Sequence, residues 1–249
     1  MTEPIPFTRA AIAPLATYQE AWSRIRAQYW LFLGVTAVGV LLGGLAPMGL
    51  MMGPMMVGIY LCHRALARGE EVKFELLFKG FDRFIDAFVA ALLMMAASLV
   101  IVRPLVFVVM FGAIFGAAGM AAAASSTRGG AGGGLAAGAC LLYAGAIAFM
   151  MLASMLVSLF FTFAFPLIAD RGASGLDAVK LSMRAAMANL GGLVGLALFT
   201  FLLTFVGLLF CYVGAFLVMP LTFAAHWITY EKVFGMKEAG LPAFPAETG

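Results

Sequence analysis

Hydrophobic and polar positions along this chain are organised on two scales. Long apolar runs cover Trp30 to Cys62, Ile85 to Ala124, Leu135 to Ile168 and Leu190 to Ile228, and short charged stretches separate them. Inside the charged stretches the pattern becomes helical. Tyr18, Trp22, Ile25 and Tyr29 share one face, with Arg24 and Arg26 away from it. Phe74, Leu77, Phe78, Phe81, Phe84, Ile85 and Phe88 form a second stripe, opposite Lys73, Glu75, Lys79, Asp82, Arg83 and Asp86. In "SGLDAVKLSMRAAMANL", Leu176, Val179, Met183, Met187 and Leu190 face one way and Lys180 and Arg184 another. Thr17 with Glu20, and Ser174 with Asp177, have the spacing of capping boxes that open the first and third of these helices. Aromatic-rich apolar faces backed by mixed charge suit the boundary between headgroups and acyl chains. Phe74, Leu77, Phe78, Phe81 and Phe84 are the residues expected to lie there.

A helix of about 20 apolar residues crosses a bilayer, and these runs are roughly twice that, so each folds back on itself. In the first run "GGLAPMG" (Gly43, Gly44, Pro47, Gly49) supplies a turn, and "TFVGLLFCYVG" does so in the last. In the middle unit the connector "SSTRGGAGGG", Ser125 to Gly134, is expected to face solvent, because lipid cannot satisfy irregular backbone. The fold class is therefore all-α: a polytopic transmembrane helical bundle of about six spans, with three interfacial amphipathic helices. Eight spans is the alternative. About 40 residues of helix would rise about 60 Å, so the middle helices either break at Arg103-Pro104 or cross twice each. The organisation expected is a flexible N-terminal tail over 1–16, a single transmembrane domain over 17–235 and a C-terminal tail over 236–249. The domain has units 17–70, 71–170 and 171–235. Pro54 precedes Tyr60 and Glu70 much as Pro220 precedes Tyr230 and Glu231, the pattern of an internal repeat.

Composition supports this reading. Apolar residues make up 64% of the 249 and charged residues 11%, with a mean hydropathy of +1.05. A soluble domain carries about 25% charge, so a water-facing surface cannot be assembled from this chain. The net charge of +3 is too small to point to nucleic acid. No apolar segment ending in a small-residue cleavage site opens the chain, so the first span is expected to insert uncleaved. Arg24, Arg26, Arg64, Arg68, Lys73, Lys79, Arg83, Arg171, Lys180, Arg184, Lys232 and Lys237 all fall on one side for an even number of spans. The positive-inside rule makes that side, and both termini, cytoplasmic in a cell (inner) membrane. Cys62, Cys140 and Cys211 lie singly in apolar segments and read as buried thiols.

Little in the chain carries chemistry. Met48, Met51, Met52, Met55 and Met56 recur at i, i+3, i+4, i+7 and i+8, with Cys62 and His63 beyond them. Thioethers are soft ligands suited to Cu(I), but methionine is also an adaptable filler between helices, and packing is the reading adopted. His63 and His226 read as interfacial, His226 beside Trp227 and Tyr230. As an ionisable group inside a span, His226 is also a functional candidate. Arg103 sits within an apolar run and needs a partner there. Asp170 could carry protons or bind a cation; ending the helix opened by Pro166 and serving the N-terminus of the next helix is the simpler role. Gly39/Gly43, Gly49/Gly53, Gly112/Gly116 and Gly191/Gly195 allow close helix approach. No hydrolase, metalloprotease or P-loop signature occurs, so neither an enzyme nor a cofactor is expected.

Two stretches carry a resemblance. "ELLFKGFDRF" contains Leu77, Phe78, Gly80 and Phe81, and "FAFPLIADRGASGLDAVKLSMRAAMANL" contains Pro166, Asp170, Gly175, Ala178 and Ser182. In these the chain resembles a broad group of bacterial integral membrane proteins. The group includes the YciC-like proteins and the membrane region attached to some glycerophosphoryl diester phosphodiesterases. The group's Pro-Gly pair opening a middle span is replaced here by Arg103-Pro104-Leu105. The resemblance implies fold and membrane location more than activity. The function expected is a non-enzymatic inner-membrane protein that organises or assists partners or lipids. A permease for a hydrophobic or amphipathic small molecule is the alternative, and copper handling a further one. The partners expected are the lipid bilayer and a membrane protein or a homo-oligomer.

Overall fold

The computed structural model describes residues 6–9, 12–45, 50–126, 131–209 and 213–236, with side-chain detail outside 117–140. The fold is all-α, and among the described residues there is no strand. The helices are α1 (Pro14–Ile25), α2 (Tyr29–Leu45), α3 (Met52–Ala67), α4 (Phe84–Ser126), α5 (Ala131–Phe161), α6 (Ala164–Arg171), α7 (Gly175–Ala188), α8 (Leu190–Leu209) and α9 (Val213–Phe234). A 3₁₀ turn, Arg26–Gln28, joins α1 to α2, and a longer 3₁₀ segment, Phe74–Arg83, leads into α4.

Five helical stretches are long and apolar enough to cross a membrane: Pro14–Leu45, Phe74–Gly116, Leu141–Arg171, Leu190–Leu209 and Val213–Phe234. The sixth apolar helix, α3, has 16 residues. It rises only about 24 Å at 1.5 Å per residue, against about 30 Å of hydrocarbon. It is instead the hub of its unit, packed against α2, the Phe74–Arg83 segment, α6 and α9.

Glycine makes that hub. A Cβ on Gly58 would fall inside the carbonyl oxygen of Leu77, and one on Gly80 inside that of Pro54. A Cβ on Gly53 would fall inside that of Ala87. Backbone therefore lies against backbone where α3 crosses the Phe74–Arg83 segment and the start of α4. The 3₁₀ winding serves this contact. At three residues per turn, Leu77 and Gly80 stack on one side, and both are buried against α3. The seven-residue α-helical stripe expected here is thus divided. Leu77 is a core residue, while Phe74 and Phe78 stay exposed and Phe81 and Phe84 are half-buried.

Helix ends also depart from expectation. α1 opens at Pro14, with Ala13 before it and no side-chain cap, so Thr17 lies one turn inside the helix and is buried. Proline's fixed φ and missing N–H suit a first turn, which accounts for the earlier start. Part of the expected N-terminal tail is docked: Thr8 N donates to Val233 O at 2.8 Å, and Ile12 is buried. At α7 the expected cap is present, with Ser174 Oγ accepting from Asp177 N at 3.3 Å. Ser174→Ala is expected to cost about 1 kcal/mol, seen as a lower melting temperature in detergent; an unchanged melt would show the cap to be dispensable.

The turn expected from Gly43 starts later, since α2 continues to Leu45; residues 46–49 lie outside the described residues. α4 does not break at Arg103-Pro104. It continues through Pro104 for 43 residues. Proline removes one hydrogen bond and crowds the preceding turn, but a backbone surrounded by lipid gains nothing by unwinding. Helix also occupies most of the expected glycine-rich connector, up to Ser126 and again from Ala131.

The chain forms two compact units, one of residues 1–93 and 159–249 and the other of 94–158. In the first, α8 and α9 pack as a hairpin in which Gly207 and Gly214 touch, backbone against backbone, and α1 lies against both. The second consists of the remaining length of α4 and most of α5.

Candidate functional site at the charged end of the first unit

The ends of α3, α6 and α9, which carry Arg64, Arg68 and Arg171, meet in one place. Arg64, in the last turn of α3, donates from Nη1 to Ala169 O in α6 at 2.6 Å. Arg68, just past α3, places Nη2 3.4 Å from Asp170 Oδ1. The Tyr230 hydroxyl on α9 donates to Asp170 Oδ2 at 2.9 Å. Arg171 Nη2 donates to Phe234 O at 2.7 Å and Gly235 O at 3.1 Å. These carbonyls end α9 and have no partner within the helix. Arg171 Nε stands 4.0 Å from Asp170 Oδ2.

Asp170 is the centre of this arrangement, and its side chain is wholly buried. A buried carboxylate is tolerated only when charge and hydrogen bonds compensate its lost hydration. Here α3, α6 and α9 each contribute a compensating group, so the carboxylate ties three helices together. The expected role, serving the N-terminus of α7, belongs to another residue: Gly175 N donates to Asp86 Oδ1 at 3.2 Å. Gly172, left-handed at φ 65°, turns the chain away after Arg171, so Asp170 points back into the bundle.

A second network joins α1 to α9. Arg24 donates to Glu231 Oε2 and to Glu20 Oε1, each at 2.6 Å. Trp227 Nε1 donates to Glu231 Oε1 at 2.7 Å, and Lys232 Nζ lies 3.0 Å from Glu20 Oε2. Arg24, read as the outer face of an interfacial helix, thus packs partly inside. Tyr18 and Ile25 are buried by protein, while Trp22 stays exposed.

His63 lies near both networks. It is buried rather than interfacial, because α3 is central. Its ring stacks on Phe32 at 4.6 Å between centroids. Nε2 has no hydrogen-bond partner among the described residues. The ring borders a cavity of about 10 Å³ that Arg24, Leu66 and Trp227 also line. That is room for about one water.

The other sequence candidates lie elsewhere. Arg103 is exposed on α4 in the second unit, and no ion pair links it to a described residue. His226 is half-buried on α9, outside both networks. Met48 lies outside the described residues. Met51 and Met52 are exposed, Met56 is half-buried and Met55 is buried. The expected methionine face is divided because α3 begins only at Met52 and buries the side that carries Met55. Among the described residues, no three His, Cys, Asp or Glu side chains gather as metal ligands.

Sequence reading named Tyr230, Arg64 and Ser182 but gave none of them a role in this site. Ser182 Oγ accepts from Phe163 N at 3.1 Å and donates to Phe160 O at 2.7 Å. It thereby satisfies backbone groups freed where α5 gives way to α6. Ser182 stood among the residues that carry the resemblance, and as a small hydroxyl residue on the buried side of an amphipathic helix, but neither signal names its partner.

This geometry defines a class: an all-α membrane protein with multiple helices able to span, held at its charged end by a buried carboxylate. No protein-family model, no curated protein and no solved structure matches the chain.

Proposed function

We propose that this is a non-enzymatic protein of the cell inner membrane, with both termini cytoplasmic, that organises or assists membrane partners or lipids. The observation that carries this reading is the surface of α4. From Ile85 to Phe115 large apolar side chains stay exposed, Val100 at 74% and Phe115 at 67% among them. Thirty residues rise about 45 Å, half as much again as a hydrocarbon core of about 30 Å. Even at a tilt of about 40°, the upper end for spanning helices, this exposed stretch projects about 35 Å along the bilayer normal, still more than that core. Lipid alone does not cover that length, and water is a poor solvent for it. A neighbouring protein is the cover that suits it. The buried Asp170 supports the same reading, since its partners are those of a clamp.

A permease remains the second reading, favoured by Arg103, an exposed cation in the midst of apolar surface on α4. One experiment addresses both. With a photo-crosslinking residue at Phe107 or Phe115 in cells, discrete protein adducts are expected, and proteoliposomes of the pure chain are expected to show no flux of amphipathic dyes. Dye flux that Arg103→Ala abolishes would establish the permease instead.

A further inference from the structure

α7 presents three distinct sectors. Gly175, Ala178, Val179, Ser182, Ala185 and Ala186 are buried against protein. Leu176 (47% exposed), Met183 (41%) and Met187 (66%) are not. At 3.6 residues per turn these three fall within an arc of about 40°. Lys180 and Arg184 are exposed and lie about 40° and 80° round from Leu176 on the far side of that arc. Neither is in an ion pair with a described residue. The nearest acid on the helix surface, Asp177, is held by the Ser174 hydroxyl at 2.7 Å.

The order of sectors, protein then apolar then cationic, is that of a helix lying along a membrane boundary. Its position in the chain agrees. α8 begins at Leu190, straight after Asn189, and its own exposed face carries Leu198, Phe201, Leu202 and Phe205. The apolar strip of α7 therefore ends next to the start of a spanning helix whose exposed face is apolar. A protein groove would meet the strip and leave the two cations without partners. A phosphodiester at the headgroup level meets both, Arg184 through its paired donors and Lys180 as a point charge.

We infer that α7 is a docking element for anionic phospholipid, with Leu176, Met183 and Met187 among the acyl chains and Lys180 and Arg184 on the headgroup phosphate. This rests on the membrane reading proposed above and adds the lipid chemistry. It is independent of the protein partner proposed for α4.

The test is native mass spectrometry of the full chain in mild detergent, with phosphatidylglycerol and phosphatidylcholine of matched acyl chains. Wild type is expected to prefer phosphatidylglycerol, and each of Lys180→Gln and Arg184→Gln to reduce that preference about fivefold. The double variant is expected to lose it about 25-fold, with phosphatidylcholine binding unchanged. Lys79→Gln, an exposed cation on another element, is the control and is expected to keep it. Met183→Gln with Met187→Gln is expected to weaken both lipids alike, and it provides a second route should the charge variants fold poorly. A wild type without preference, a double variant that retains it, or displacement of the lipid by inorganic phosphate would each overturn the inference. Lipid preference that persists when crosslinking at Phe107 and Phe115 yields no protein adduct would remove the partner reading and leave this one intact.

Discussion

Gly58→Ala is expected to leave little folded protein. The added methyl falls inside the Leu77 carbonyl, which is backbone of the 3₁₀ segment and cannot rotate aside. Either α3 or Phe74–Arg83 must then move, while Gly80 against Pro54 holds these two elements close and Gly53 against Ala87 ties α3 to the start of α4. Overpacking of a close-fitted core typically costs about 1–3 kcal/mol, and backbone on both sides places this site at or above the upper end. The check is the melting temperature and monodisperse yield of the variant in detergent. Gly34→Ala is the control: its Cβ meets nothing within 4 Å. It is expected to melt at the same or a higher temperature, because alanine is the better helix former by about 0.5–1 kcal/mol. Equal melts for the two variants would refute the glycine crossing.

The second large effect is expected at Asp170. Asp170→Ala leaves Arg68, whose side chain is 24% exposed, without its carboxylate and the buried Tyr230 hydroxyl without its acceptor. Breaking a fully buried pair costs about 3–5 kcal/mol, and the partial exposure of Arg68 places this one toward the lower end of that range. Asp170→Asn keeps an acceptor for Tyr230 and should lose less. Tyr230→Phe, which removes one hydrogen bond and leaves the charges in place, should lose least, about 1–3 kcal/mol. Thermal unfolding in detergent ranks the three. If instead all three melt like the wild type, Asp170 is not a clamp, and the role of proton or cation carrier becomes the better account.

The two effects differ in how far the sequence announced them. Gly58 is one of 29 glycines, and it belongs to none of the small-residue pairs noted. Of those pairs, Gly39 and Gly43 do lie against Ile59 and Met52, whereas Gly112, Gly116 and Gly191 face open space. Spacing marks where two helices could approach closely; it does not say whether a partner is there. Asp170 drew notice as a charge beside an apolar run, but its partners lie about 60 and 100 residues away along the chain, beyond the reach of any local pattern.

Length and apolarity alone determined that this chain is helical and membrane-dwelling, because hydrocarbon forces every backbone group to bond within its own segment. Local spacing likewise determined the Ser174 cap, since cap and partner lie in one turn. The tertiary structure decided the rest. It made α3 a core helix, put Leu77 and His63 inside, closed three helices on Asp170 and divided the methionines between inside and outside. These outcomes depend on which surfaces meet, and a side chain's helical face is defined before its neighbour is.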